Sequence, residues 1–454
     1  MPTAPRRYGI WCKCIRKKLA LTTASDLIGI MAPAATADLN VADSSTLAKS
    51  ATDSQRADSQ ASIAPRPGSR CYDIQKLPTL KEFAALTSQT TKPDTYPLAR
   101  QVEKNVPIYA RESIDLTNAE ISEQLQDEWY HILLHGPGVF VIQGFFRHPT
   151  LIDDANAAYA AIIAKETAQS NGFAKGDHFA NAATNDRIWN SFSKHCLQDP
   201  ASFLQYYSNP LFRSVCEAYL GPAYRITAQV NVVKPGGKAQ VCHRDFHMGF
   251  QTAATASKWP KGMHIASQLL TLQGAVAHTD MPVESGPTRL LPYSQLLESG
   301  YLAYRNEDFQ KYFLDNYISL PLQKGDAIFF NPALFHAAGG NLTSDFERSA
   351  NLIQVSSAFG KPMEYIERIP LVQHSWQLLQ EKFREEGLSD GVETFLQAVT
   401  EGYPFPTNLD RRPPAPSGMA PESETDILRR GLQEGWSVEQ AVEALRDVDA
   451  ANVD

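Results

Sequence analysis

The sequence is poor in the features that define several large classes of protein. Six cysteines occur in 454 residues, at Cys12, Cys14, Cys71, Cys196, Cys216 and Cys242. Their spacing offers neither a disulfide framework nor the two pairs that a zinc ribbon needs, so they are read as reduced thiols of an intracellular protein. No apolar run approaches the roughly 20 residues that cross a bilayer, and no membrane partner is expected. Basic residues are in the minority, 42 against 50 acidic, for a net charge of -8. That balance argues against a nucleic-acid or anionic-membrane surface. No internal repeat is present. What is there is ordinary globular composition, 43% hydrophobic and 20% charged, with length enough for one large core and additional segments.

The ends differ from the middle. Arg6, Arg7, Lys13, Arg16, Lys17 and Lys18 all precede the first acidic residue, Asp26. That pattern is shared by mitochondrial transit peptides, although an unstructured tail, or a true start at Met31, is the simpler reading, and the cytoplasm is the expected compartment. Residues 32 to about 69 are mostly Ala, Ser, Thr and Asp. They cannot recover their ordering entropy by burial, so residues 1–70 are expected to be an unstructured extension. Thr117 and Glu120 are read as a capping box opening a helix through Leu125, Trp129 and Leu133. Gly136-Pro-Gly stops it, Val139 to Ile142 follow as a buried strand, and a second helix runs through Leu151, Ala155, Tyr159 and Ile163. From Arg225 to Phe359 the pattern is β: Ile226–Val233, Ile265–Ala277, Thr288–Leu291, Ala327–Phe330 and Leu352–Ala358 are strand candidates between Gly/Pro turns. Helices in front of strands give an α+β plan around one β core. Past Thr400 the composition is that of a linker, until Ser437 and Gln440 cap a last helix. The expected division is 1–70, a catalytic region 71–375, and a helical, Pro-rich extension 376–454.

The chemistry concentrates at Gln240-Val-Cys-His-Arg-Asp-Phe-His. On a strand, residues two apart share a face, so His243 and Asp245 would present an imidazole and a carboxylate side by side. Lys324-Gly-Asp turns into the strand Ala327–Phe330, and His336 follows at its far end. Two histidines and one carboxylate make the facial metal site of non-haem iron(II) oxygenases, which leaves coordination positions open. The pair His278-Thr-Asp280 has the same spacing and competes, and a lone strand histidine is by default a hydrogen-bonded core residue. Arg348, on the strand after His336, would suit the far carboxylate of a dicarboxylate co-substrate. Its ordinary alternative is an ion pair with Glu347 or Asp345.

Together these stretches resemble the phytanoyl-CoA dioxygenase family of iron(II)/2-oxoglutarate oxygenases. His135-Gly-Pro-Gly-Val-Phe-Val-Ile-Gln-Gly-Phe-Phe is similar to the family's opening strand, His243-Arg-Asp245 to its proximal motif, and Asp280-Met-Pro-Val-Glu-Ser-Gly-Pro-Thr-Arg-Leu-Leu-Pro-Tyr-Ser with His336…Arg348 to its distal half. The resemblance spans about Thr117 to Phe359. It implies a double-stranded β-helix (jelly-roll, cupin-like) core flanked by helices, and it sets His278-Thr-Asp280 aside as a loop. It further implies Fe(2+) held by His243, Asp245 and His336, with 2-oxoglutarate anchored by Arg348 and contacted by Gln240 and Thr288. O2 would be the oxidant, and a C–H bond of a small organic molecule its target. An intact Asp245 disfavours halogenation, for which related enzymes lack this carboxylate. Two positions depart from the pattern: Tyr293-Ser294-Gln295 stands where Gly-Ser-His is usual, and Ala338 where a hydroxyl residue often helps hold the co-substrate.

The substrate pocket is expected to draw on Lys175-Gly-Asp-His-Phe-Ala and Arg187-Ile-Trp-Asn, although Phe179 and Trp189 also suit plain packing. His247 shares the ligand face but reads better as a structural hydrogen-bonding residue. No basic cluster fit for a CoA moiety is present. The other readings are a cupin-like metal isomerase or hydrolase with no use for Arg348, and a non-catalytic binding protein on the same fold. Substrate identity and oligomeric state are not legible.

Overall fold

Alternation along the strands decides which side chains meet the helices and which line the interior. In the computed structural model, which describes residues 68–169 and 184–453, ten strands are present among those residues. They are β1 (Gln101–Glu103), β2 (Val106–Ala110), β3 (Val139–Gln143), β4 (Asn185–Ile188), β5 (Arg225–Val233), β6 (Thr271–Ala277), β7 (Arg289–Leu291), β8 (Ala327–Phe330), β9 (Phe335–Ala337) and β10 (Arg348–Ser356). Eight form one sheet in the order β1-β2-β3-β8-β6-β10-β5-β4, antiparallel except for β2 with β3. β7 and β9 form a smaller antiparallel sheet, which single bridges extend to His243 and Ile318. The core is a double-stranded β-helix with helices packed on its outer side.

One set of alternate residues packs outward. Phe140, Ile142, Ile226, Ala228, Val230, Leu272, Phe329, Ile353 and Val355 join a large apolar cluster with the helices Ala119–Leu134, Pro149–Gln169 and Pro210–Leu220. Trp129 stacks on Phe140 at 5.6 Å, and full burial of such a side chain contributes about 1.5–3 kcal/mol. The other set, Val139, Val141, Ala275, Ile328, Phe330 and Ala350, faces inward with Met281, Leu320 and Leu322. Pairing in register then fixes the inner rows: Phe330, Gln273, Gln354 and Thr227 lie side by side across four strands, as do Ile328, Ala275, Leu352 and Gln229.

The structure departs from the sequence reading at several boundaries. The first long helix is capped by Asn118, whose side chain accepts from the N–H groups of Glu120 and Ile121, while the Thr117 hydroxyl turns back to Asp115. An Asx cap thus takes the place of the expected capping box. Ile265 and Ala266 are helical, and the strand starts only at Thr271. The strand that includes Leu352 begins earlier, at Arg348, because nine residues pair with β5. The boundary expected at 375 falls inside the helix Arg368–Glu386. There Leu371, Trp376 and Leu379 share the large cluster with Val392, Phe395, Leu428 and Leu445. The last helix, Val438–Asn452, does start at the Ser437–Gln440 capping box. The extension expected to be unstructured lies outside the described residues up to position 67, as does Lys175 to Ala180. Among the described residues no helix is long and apolar enough to cross a membrane.

Candidate metal centre and its cavity

The segment after β5 turns at Pro235-Gly-Gly and crosses the smaller sheet. His243 and His336 form a reciprocal backbone bridge, N–H to C=O at 2.9 and 3.1 Å, and the Asp245 N–H donates to the Pro332 carbonyl at 2.8 Å. His243 is a bridge residue and not part of a continuous strand, yet this backbone pairing puts its imidazole and the Asp245 carboxylate on one side, next to His336. One donor atom from each of the three lies within 4.8 Å of the others. The Nε2 atoms of His243 and His336 are 3.8 and 3.5 Å from the carboxylate oxygens.

The tautomers follow from the partners. Nδ1 of His243 lies 2.9 Å from the Val241 carbonyl, and Nδ1 of His336 lies 2.8 Å from the Leu334 carbonyl. A carbonyl only accepts, so both Nδ1 atoms carry hydrogen and both Nε2 lone pairs are free to face one point. Burial, with the neighbouring His336, pushes the His243 pKa down, which keeps that ring neutral. Burial alone would raise the Asp245 carboxyl, but the two imidazoles and the Gln273 amide hold it well below the usual carboxylate range. Gln273 Nε2 donates to Asp245 Oδ2 at 2.6 Å. Two imidazoles tied back through Nδ1 and an ionised carboxylate are the donor set that a divalent cation requires.

Arg244, between the two, points the opposite way. It is fully buried, donating to the carbonyls of Ala333 and Gln295 and lying over the Tyr301 ring at 4.6 Å. Gly300 leaves it room, since a Cβ there would meet the guanidinium. Burial lowers its pKa to about 10. The side chain anchors the loop between the two ligand positions from behind, a role not legible from sequence. Tyr301 adds a hydroxyl donated to the Phe246 carbonyl at 2.8 Å, which holds Phe246 at a φ of +33°.

Arg348 lies on the inner face at the start of β10. It is buried, and its recorded bond is one to the Gly339 carbonyl at 3.4 Å. Among the described residues no carboxylate lies within ion-pair distance, so the ordinary alternative, a pair with Glu347 or Asp345, is not formed. Burial lowers its pKa to about 10. Gln240 is tied to Ala338 in both directions, through its own N–H at 3.0 Å and through its Oε1, which accepts the Ala338 N–H at 3.2 Å. Gln240, Thr288 and Arg348 line the same cavity as the His243–Asp245–His336 cluster, and its volume is about 560 Å³. Roughly 300–1,000 Å³ is usual for small-molecule sites.

The competing pair does not converge. His278 is buried behind the sheet, bonded to the Tyr206 hydroxyl at 3.0 Å and to Asn156 Oδ1 at 2.7 Å. Asp280 instead accepts the Lys324 N–H at 2.9 Å. His247 lies 3.4 Å from the Thr271 hydroxyl and outside the cavity lining. Gln295, where a histidine is usual, donates to the Gly136 carbonyl at 2.8 Å and so ties the loop to the turn before β3. Arg187 lines the cavity, bonded to Gln229 Oε1 and stacked on Trp189 at 4.6 Å. Asn231, Gln273 and Gln354 line it as well, and sequence reasoning named none of these three. The only signal for Asn231 is the polar half of the alternation in β5.

The model of the phytanoyl-CoA dioxygenase (PhyH) family matches residues 134–350. The matched segment takes in the proximal motif, β8, His336 and the start of β10. Among curated relatives, dioxygenase andF of Emericella variicolor is 28% identical over 178 residues, 37% of this chain and 57% of that protein. Dioxygenase olcK of Penicillium canescens is 27% identical over 282 residues, 60% of this chain and 78% of that protein. The chain thus spans little more than half the length of the first of them. Among solved structures, the non-heme alpha ketoglutarate dependent epimerase SnoN of nogalamycin biosynthesis aligns with a TM-score of 0.37 and 17% identity. That alignment covers 53% of this chain and 85% of SnoN.

Proposed function

We propose that this protein is an iron(II)- and 2-oxoglutarate-dependent dioxygenase that oxidises a C–H bond of a small organic molecule. The observation that carries the reading is the pairing, on one cavity, of a convergent His–Asp–His set with a buried arginine that has no carboxylate partner. A metal isomerase or hydrolase would use the first and have no need of the second. The relatives' description as dioxygenases and the PhyH match support the same conclusion.

His243, Asp245 and His336 would hold the iron, with the imidazoles fixed by their Nδ1–H bonds and the carboxylate by Gln273. Arg348 would take the distal carboxylate of 2-oxoglutarate; a buried guanidinium is already desolvated, and its planar fork suits a bidentate pair. Gln240 and Thr288, which line the same cavity, would contact that anion through the Gln240 amide and the Thr288 hydroxyl. Iron(II) with 2-oxoglutarate supplies O2 activation, the co-acid leaving as succinate and CO2. Phe330, Leu352 and Met281 contribute an apolar part of the wall, which would limit bulk water near the reacting carbon.

Anaerobic titration of the purified chain with iron(II) and then 2-oxoglutarate tests this. A weak visible charge-transfer band of the chelate is expected. A folded, iron-loaded sample that gives no band overturns the assignment. A panel of small molecules assayed by succinate release then searches for the substrate.

A further inference from the structure

Asp245 imposes a direction on the amides beside it. Its carboxylate can only accept, so Gln273 must turn its NH2 toward it, and does so at 2.6 Å. The second hydrogen of that NH2 goes to Gln354 Oε1 at 3.1 Å. Gln354 lies directly opposite Gln273 in the β6–β10 register. That bond fixes the Gln354 oxygen toward Gln273 and leaves the NH2 on the other side of its amide. The orientation of both amides is therefore set by hydrogen-bond polarity and does not depend on telling nitrogen from oxygen by position.

The Gln354 NH2 has no acceptor among the described residues. The side chain is only 8% exposed and lines the cavity. Leu352, Phe330 and Met363, which line the same cavity, carry no side-chain oxygen that could accept from it. The Thr227 hydroxyl, next in the row, is donated to the Gln354 backbone carbonyl at 3.0 Å. A donor at a cavity wall that lacks a protein acceptor is left to water or to an acceptor on the ligand.

We propose that Gln354 is a substrate anchor that selects an acceptor oxygen, a ketone or similar carbonyl, on an otherwise apolar molecule. This rests on the dioxygenase reading of the same cavity. The anchor is coupled through Gln273 to the carboxylate of the metal site, so it holds the carbonyl-bearing part of the substrate at the wall beside that site. Gln273 donates both to Asp245 and to Gln354, so the three side chains form one hydrogen-bonded row from the metal site to the substrate. Amides at this place also explain why β6 and β10 carry glutamine on faces otherwise lined by Ala275, Leu352 and Ala350.

The test uses the full chain loaded with iron(II) and 2-oxoglutarate without oxygen, and two matched pairs of probes: 1-tetralone with tetralin, and 9-fluorenone with fluorene. Binding is read by calorimetry, which needs no chelate band. Each ketone is expected to bind roughly twofold to tenfold more tightly than its hydrocarbon, the range for one neutral hydrogen bond. Gln354→Leu should erase that preference and leave 2-oxoglutarate affinity unchanged. Gln354→Glu still accepts from Gln273 but offers the cavity an acceptor, so it should favour 1-tetralol over 1-tetralone. Three results would overturn the proposal: wild-type protein that binds ketone no better than hydrocarbon or binds neither, a preference that survives Gln354→Leu, and a loss of 2-oxoglutarate affinity in that variant. Absence of the chelate band in wild-type protein strikes the underlying dioxygenase reading instead, and is read separately.

Discussion

His243 and His336 exchange both of their backbone hydrogen bonds, at 2.9 and 3.1 Å, and their rings lie 4.4 Å apart between centroids. Two residues 93 positions apart in the numbering are thus directly opposed across a β-bridge, where side chains share one face. The sheet sets the separation of the two Nε2 atoms before any metal arrives, and Asp245 needs only to follow two residues later. Preorganisation of this kind lowers the ordering cost of binding.

From this follows the behaviour of His336→Ala. Far-ultraviolet circular dichroism should be unchanged, because the bridge is made by backbone atoms that alanine keeps. Iron retained after dialysis should fall to background, and succinate release with it. A variant that keeps iron and full turnover would remove His336 from the ligand set.

Arg348→Ala addresses the co-substrate alone. Charge-assisted hydrogen bonds contribute about 1.5–3 kcal/mol, so the 2-oxoglutarate concentration needed for half-maximal succinate release should rise roughly 10- to 150-fold. Iron affinity should hold, since Arg348 contacts none of the three ligands. An unchanged 2-oxoglutarate requirement would make Arg348 a structural cation.

Gln273 orients Asp245 from behind. Groups that fix a metal ligand typically matter by about 10- to 100-fold in metal affinity, and Gln273→Leu should weaken iron binding within that range. The substitution also leaves Asp245 and Gln354 Oε1 without their donor, so thermal stability should fall by about 1–3 kcal/mol. Competition with a chelator measures the first effect and thermal unfolding the second. A stability loss with undiminished iron affinity would assign Gln273 to packing.

Much of this centre was legible in the sequence, for a physical reason. A ligand pair two residues apart on extended backbone, a Gly-containing turn into a short apolar strand, and a histidine at its end are local patterns, and local geometry fixes what they present. His278-Thr-Asp280 shows the limit of such reasoning. Its spacing equals that of His243 and Asp245, and only tertiary packing, which seats His278 between Tyr206 and Asn156, distinguishes them. Gln273 and Gln354 were hidden differently. Alternating strands usually turn their polar side to water, and sequence does not reveal that here this side faces a cavity. The fate of Arg348 was equally tertiary. Glu347 and Asp345 are its neighbours in the chain, yet neither forms an ion pair with it in the fold.

The C-terminal helices also admit a test through pH. Glu424 is buried at the start of the helix Glu424–Glu434, beside Arg368 at 3.0 Å. Burial is the larger influence and outweighs Arg368, so its pKa rises from 4.5 to about 7. Folding therefore favours the protonated form. Below pH 4.5 both states hold the proton and the contribution to stability is fully present. Between pH 4.5 and about 7 the unfolded chain has released a proton that the native state keeps, so stability falls as pH rises, and above 7 it levels off. The drop is on the order of 3 kcal/mol at most, at about 1.4 kcal/mol per pKa unit. Glu424→Gln should flatten this part of the denaturant-unfolding profile and leave the variant more stable than wild type at pH 8. Superimposable pH profiles for the two proteins would show that Glu424 stays ionised in the native state, held by Arg368.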